Sequence, residues 1–132
     1  MSAQHDLTKN QEMVLGALSA ADGPLSAYTI LDRLRDRGFR APLQVYRALD
    51  KLLDYGLIHR LESINSFVAC AHPQCHGHGS IAFAICEKCG QVEEFSDAMV
   101  QQHLSERSRE RGFKPSKTVI EIRGTCAACL AA

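Results

Sequence analysis

Cys86-Glu87-Lys88-Cys89 and Cys126-Ala127-Ala128-Cys129 are the two stretches whose residue types and spacing could do chemistry directly. A thiolate pair separated by two residues can grip one face of a tetrahedral Zn²⁺. A second pair arriving from elsewhere completes four sulfur ligands and closes the coordination sphere. One Cys-x-x-Cys alone could be a thioredoxin-like redox pair, but two of them, 36 residues apart, read better as halves of one structural zinc site. The gap is longer than in a compact zinc ribbon, so it must hold secondary structure, and the zinc would staple the two ends of a small domain.

A second group of potential ligands is His59, Cys70, His72, Cys75, His76, His78 and Glu94. Any one of them alone is more simply a solvated or hydrogen-bonded residue. Crowded around a domain junction, their nitrogen, sulfur and oxygen donors suit Zn²⁺, whereas Fe²⁺ or Mn²⁺ would rely more on histidine and carboxylate. No catalytic constellation accompanies them. The H-x-E and P-C-x-x-C pattern of zinc deaminases is absent, and a four-sulfur zinc leaves no position open for water. The reading is therefore not an enzyme, and no small-molecule substrate is expected.

The bulk properties set bounds. At 132 residues and 45% hydrophobic content, the chain can form one ordinary domain or two small ones with packed cores. Six cysteines behind a polar Met1–Asn10 stretch with no signal-peptide pattern argue for a reducing, cytoplasmic setting and against a disulfide framework. No apolar run reaches the roughly 20 residues of a membrane span. Formal net charge is zero, and the residues before Ser66 hold eight Lys+Arg against eight Asp+Glu, so charge alone does not announce a nucleic-acid partner. Arg33, Arg35, Arg37, Arg40 and Arg47 do cluster locally, which fits either a solvated helix face or a phosphate-binding one.

These ligands need elements to position them. Thr8 caps a helix over Lys9–Ala20, stopped by Asp22-Gly23-Pro24, and Ser26 caps a second helix to about Arg37, ended by Gly38. A third helix after Pro42 carries Val45, Leu49, Leu52 and Leu53 and stops at Gly56. Leu57–Leu61 and Ser66–Cys70 then read as a hairpin. Three helices and a hairpin make a winged helix-turn-helix, whose third helix enters the DNA major groove. With Val45, Leu49 and Leu52 inward, Gln44, Arg47 and Lys51 face outward and Tyr46 flanks them. Arginine suits guanine, glutamine suits adenine, and tyrosine commonly bonds phosphate. Residues 71–80 are a loop by their Pro and Gly content. Strands over Ile81–Cys86 and Gln91–Phe95, a helix from the Asp97 cap to about Arg111, and a strand over Thr118–Arg123 complete the chain.

Val45-Tyr46-Arg47-Ala48-Leu49-Asp50, the hairpin His59–Phe67, the block Ile85–Glu94 and the terminal Cys126–Cys129 resemble the ferric uptake regulator family in that order, most closely its zinc-sensing branch. The resemblance covers nearly the whole chain. It implies an α+β protein with three parts: a winged helix-turn-helix DNA-binding domain (1–70), a hinge and metal-ligand loop (71–80), and a small α/β dimerisation domain with the four-cysteine zinc (81–132). The implied function is a zinc-responsive repressor that binds palindromic double-stranded operator DNA as a zinc-loaded homodimer and controls zinc uptake genes. The alternative is a member of the family sensing iron, manganese or peroxide. Two zinc ions per chain are implied: a structural one on Cys86, Cys89, Cys126 and Cys129, and a regulatory one on His59, Cys70, His78 and Glu94, with His76 able to replace His78. Tyr28 and Arg47 are implied DNA contacts. Gln101 and Lys117 stand where some members carry a further metal site, so that site is not expected.

Overall fold

The computed structural model describes residues 6–70, 81–116 and 118–132. The chain divides into two compact units, Met1–His76 and Gly77–Ala132. Among the described residues no helix is long and apolar enough to cross a membrane.

In the first unit, α1 (Lys9–Ala20) starts from a reciprocal cap. The Thr8 hydroxyl accepts from the Gln11 N–H at 3.2 Å, while the Gln11 side-chain oxygen accepts from the Thr8 N–H at 3.0 Å. Ser26 accepts from the Thr29 N–H and opens α2 (Ala27–Leu34). This helix ends three residues earlier than the sequence suggests. Arg35–Arg37 tighten into a 3₁₀ turn before Gly38, whose φ of 101° only glycine adopts without strain. Pro42 stands at the start of α3 (Pro42–Asp54), where its fixed φ and missing N–H cost nothing.

Along α3, Val45, Ala48, Leu49 and Leu52 recur at helical spacing and are all buried. They meet Val14 and Leu18 from α1 and Ile30, Leu31 and Leu34 from α2 in one cluster, closed by Phe39, Ile58 and Phe67. The wing is an antiparallel pair, β1 (Ile58–Leu61) and β2 (Ser66–Ala69), with His59 opposite Val68. Its connection is a 3₁₀ turn over Glu62–Ile64 that reverses at Asn65 in a left-handed conformation. The wing is also tied to the helices. Leu25 and Phe67 exchange both backbone hydrogen bonds, at 3.0 and 2.8 Å, so the residue entering α2 is hydrogen-bonded to β2.

The second unit is a three-stranded sheet in the order β4-β3-β5, built from β3 (Ile81–Cys86), β4 (Val92–Phe95) and β5 (Val119–Gly124). β3 and β4 are antiparallel across the Cys86–Gln91 turn, whereas β3 and β5 are parallel, with Cys86 opposite Gly124. A parallel partner requires a crossover, which α4 (Ala98–Glu110) supplies. The Asp97 carboxylate caps α4 by accepting from the Met99 and Val100 N–H groups. A five-residue helix that the sequence reading lacks, α5 (Ala127–Ala131), follows β5.

The α1–α3 core carries the first unit. Leu49→Ala is expected to lower its unfolding free energy by about 2–5 kcal/mol, since a fully buried leucine leaves a cavity, with the loss measured by urea denaturation.

Candidate metal centres and nucleic-acid face

Sheet order assembles the first centre. Cys86 ends β3, Gly124 ends the adjacent β5, and the Glu87 N–H donates to the Gly124 carbonyl at 2.8 Å. Cys126, two residues past β5, therefore arrives beside Cys86, and α5 carries Cys129 back toward it. The four sulfurs lie within 4.8 Å of one another. The Cys86–Cys129 and Cys89–Cys126 sulfur separations are both 3.7 Å. Four sulfurs at ~2.3 Å from a tetrahedral centre would stand roughly 3.8 Å apart, so the spacing fits a closed Zn²⁺ site.

The electrostatics point the same way. Backbone N–H groups of Cys89 and Cys126 both donate to the Cys86 sulfur at 3.4 Å. They pull its pKa down to about 5 from the usual 9.0. Cys129, facing the sulfurs of Cys126 and Cys86, is pushed up to about 12. One thiolate is thus stabilised by the backbone and another is resisted by its neighbours, so full ionisation of the cluster calls for a cation at its centre.

The second group divides between the units. His59 is 6% exposed and sits on β1. Cys70 follows β2, and its N–H donates to the Leu57 carbonyl at 2.9 Å. The imidazole and the Cys70 sulfur come within 4.8 Å of each other. Glu94 is half-buried on β4 of the second unit, opposite Phe83. His72, Cys75, His76, His78 and Lys117 lie outside the described residues. Gln101 is half-buried on α4.

On the outer side of α3, Arg47 and Lys51 are exposed and line one depression with Gln44 and Asp50. Tyr28 projects from the first turn of α2 and Tyr46 from α3, both exposed. Gln44 is placed differently from a free base-reading side chain. Its amide oxygen accepts from the N–H groups of Arg40, at 2.7 Å, and Ala41, at 3.1 Å, leaving only the NH₂ group to donate outward. Sequence periodicity put Gln44 on the outer face correctly; its service as a helix cap could have been suspected from its place three residues after Ala41, which has no capping oxygen.

A winged helix-turn-helix unit followed by an α/β unit with a four-cysteine metal centre defines the class. The Ferric uptake regulator family model matches residues 2–123, and the chain belongs to that family. A zinc uptake regulation protein of Escherichia coli K12 is 42% identical over 125 residues, which cover 94% of this chain and 72% of that protein. The crystal structure of holo XcZur superposes with a TM-score of 0.89 at 40% identity, covering 98% of this chain and 90% of that one. A zinc uptake regulator complexed with zinc and DNA gives 0.90 at 38% identity, covering 96% and 84%.

Two predictions concern the sulfur cluster. Cys89→Ser should lose one bound zinc per chain by elemental analysis and melt at a lower temperature, because structural zinc contributes folding free energy. In reduced protein freshly stripped of zinc under native conditions, ultraviolet thiolate absorbance should show a cysteine ionising well below the usual thiol range, the Cys86 group that two backbone N–H groups stabilise; Cys86→Ser should remove that step.

Proposed function

We propose that this chain is a zinc-responsive transcriptional repressor that binds palindromic operator DNA as a zinc-loaded homodimer and controls zinc uptake genes in the cytoplasm. The observation that carries this reading is the location of a buried histidine and a cysteine, His59 and Cys70, within ligand reach of each other in and beside the wing. Metal ligands built into the hairpin of a winged helix couple ion binding to the element that docks on DNA. Imidazole and thiolate together favour zinc over iron or manganese. The relatives named for zinc uptake regulation, and the zinc- and DNA-bound structure, support the same assignment.

The chain carries two zincs in this reading. The first, on Cys86, Cys89, Cys126 and Cys129, is structural. The second is regulatory and takes His59 and Cys70 from the DNA-binding domain, His78 or His76 from the 71–80 hinge, and Glu94 from the dimerisation domain. Donors drawn from both domains would fix the angle between them, and in a dimer that angle sets the spacing of two recognition helices. Those helices must match half-sites about one helical turn apart or a multiple of it. The dimer reading gains support from apolar side chains that the second unit leaves exposed, among them Met99 and Val100 on α4 and Val119 and Ile122 on β5. Arg47 is the principal base reader, Tyr28, Tyr46 and Lys51 hold the backbone, and Gln44 contributes through its amide donor.

The decisive experiment is elemental analysis of reduced protein before and after mild chelation, paired with DNA binding across a zinc titration. Two zincs per chain, one of them removable and required for binding, is the expected result; binding restored by iron or manganese instead would overturn the zinc assignment. His59→Ala should stay folded and keep its structural zinc while losing zinc-dependent operator binding, read by fluorescence anisotropy. Arg47→Ala should weaken operator binding by about 1–3 kcal/mol, the worth of one bidentate base contact.

A further inference from the structure

The large hydrophobic side chains that the first unit leaves exposed, among the described residues, are Tyr28, Leu43 and Tyr46, at 67%, 56% and 42%. Tyr28 and Leu43 are the second residues of α2 and α3, and Tyr46 is one turn further along α3. Every other large apolar side chain on α3, from Val45 to Leu53, is turned toward the core. Leu43 is the aliphatic member of the group, and nothing in its own helix needs it to be leucine. Pro42 already starts the helix and Gln44 already caps it. Arg47 is one turn further along, four residues from Leu43 and therefore on the same face.

Gln44 sharpens the point. With its amide oxygen committed to the Arg40 and Ala41 N–H groups, it has no acceptor left for a bidentate contact with adenine. The first turn of α3 thus presents an aliphatic group where a polar base reader would otherwise act. In the major groove, the one apolar feature of a base edge is the C5-methyl group of thymine.

Resting on the repressor reading above, we infer that Leu43 is a specificity-determining residue of the recognition helix, reading a thymine methyl in each half-site by apolar contact. Its neighbour Arg47 supplies the charged, base-pairing part of the same reading head. Buried on DNA binding, the leucine gains from a methyl group and gains nothing from the bare C5–H of uracil.

The test uses the zinc-loaded, reduced full chain and a palindromic DNA that it selects from a random duplex library. Each thymine of one half-site is replaced in turn by deoxyuridine, which removes only the methyl group. Wild type should lose about four-fold in affinity at one position, the worth of one buried methyl group. In Leu43→Ala the thymine-to-uracil ratio at that position should fall to about one while penalties elsewhere are unchanged. Because Leu43 is exposed, the variant should keep the wild-type melting temperature, which checks that folding is not the cause. A flat deoxyuridine scan with tight binding retained, or a Leu43→Ala scan identical to wild type, would overturn the methyl-reading role alone. Failure of the zinc-loaded chain to select any DNA would overturn the repressor reading and this inference together.

Discussion

Four sulfurs drawn to within 4.8 Å of one another set the constraint on which the second unit depends. Brought together without a cation they oppose one another's ionisation, as the upward shift at Cys129 shows. Held around Zn²⁺ they become a clamp between the end of β3 and the start of α5. The clamp matters because this unit has little else to hold it. Its buried hydrophobic set, among the described residues, is Ala82, Phe83, Ile85 and Cys86, and α4 buries no residue at all. A small sheet with so modest a core is the situation in which a structural metal takes over what apolar burial supplies in larger domains.

The first unit is stabilised in a different way. Its helices close around Val14, Ile30, Val45, Leu49 and Leu52, each at most 2% exposed, and no metal is needed to explain its packing. A metal site placed on such a unit is free to regulate, since losing the ion leaves the core intact. In the proposed two-zinc reading, the structural and regulatory sites would each fall on the unit whose stabilisation suits it.

Much of this was legible in the sequence because the signals were local. Thr8, Ser26, Asp97 and the glycines at 38 and 56 mark helix ends through short-range capping and left-handed turns, and each does so in the structure. The core face of α3 followed from periodicity alone. What escaped was non-local or too short. Nothing in the alternation of Val119–Arg123 says that its strand pairs with β3 in parallel, because register is decided by the crossover and not by the strand. The helix Ala127–Ala131, at five residues, is too brief to show a period. Gln44 was assigned by face, and a face does not reveal that a side chain has turned back along its own helix. At the metal sites, residue type and spacing sufficed for the four cysteines. For His59 and Cys70 the family resemblance was needed, because the donors are separated in sequence and joined only by the wing's pairing.

That pairing also determines how an ion at His59 and Cys70 would act. His59 faces Val68 across the wing, the adjacent Phe67 is hydrogen-bonded in both directions to Leu25, and Leu25 immediately precedes the Ser26 cap of α2. Cys70 is held by Leu57, which follows α3. The donors are therefore tied by short hydrogen-bonded links to both helices of the helix-turn-helix, and the packed α1–α3 core leaves those helices little room to shift internally. In the proposed reading, an ion bound there would act on the DNA-binding unit as a body instead of remodelling its reading face. Its effect on DNA affinity would then come from where that body is held, and its size would be set by how much more tightly zinc binds the held arrangement than the free one. Linkage makes the relation mutual: operator DNA that favours the held arrangement must tighten zinc binding by the same factor.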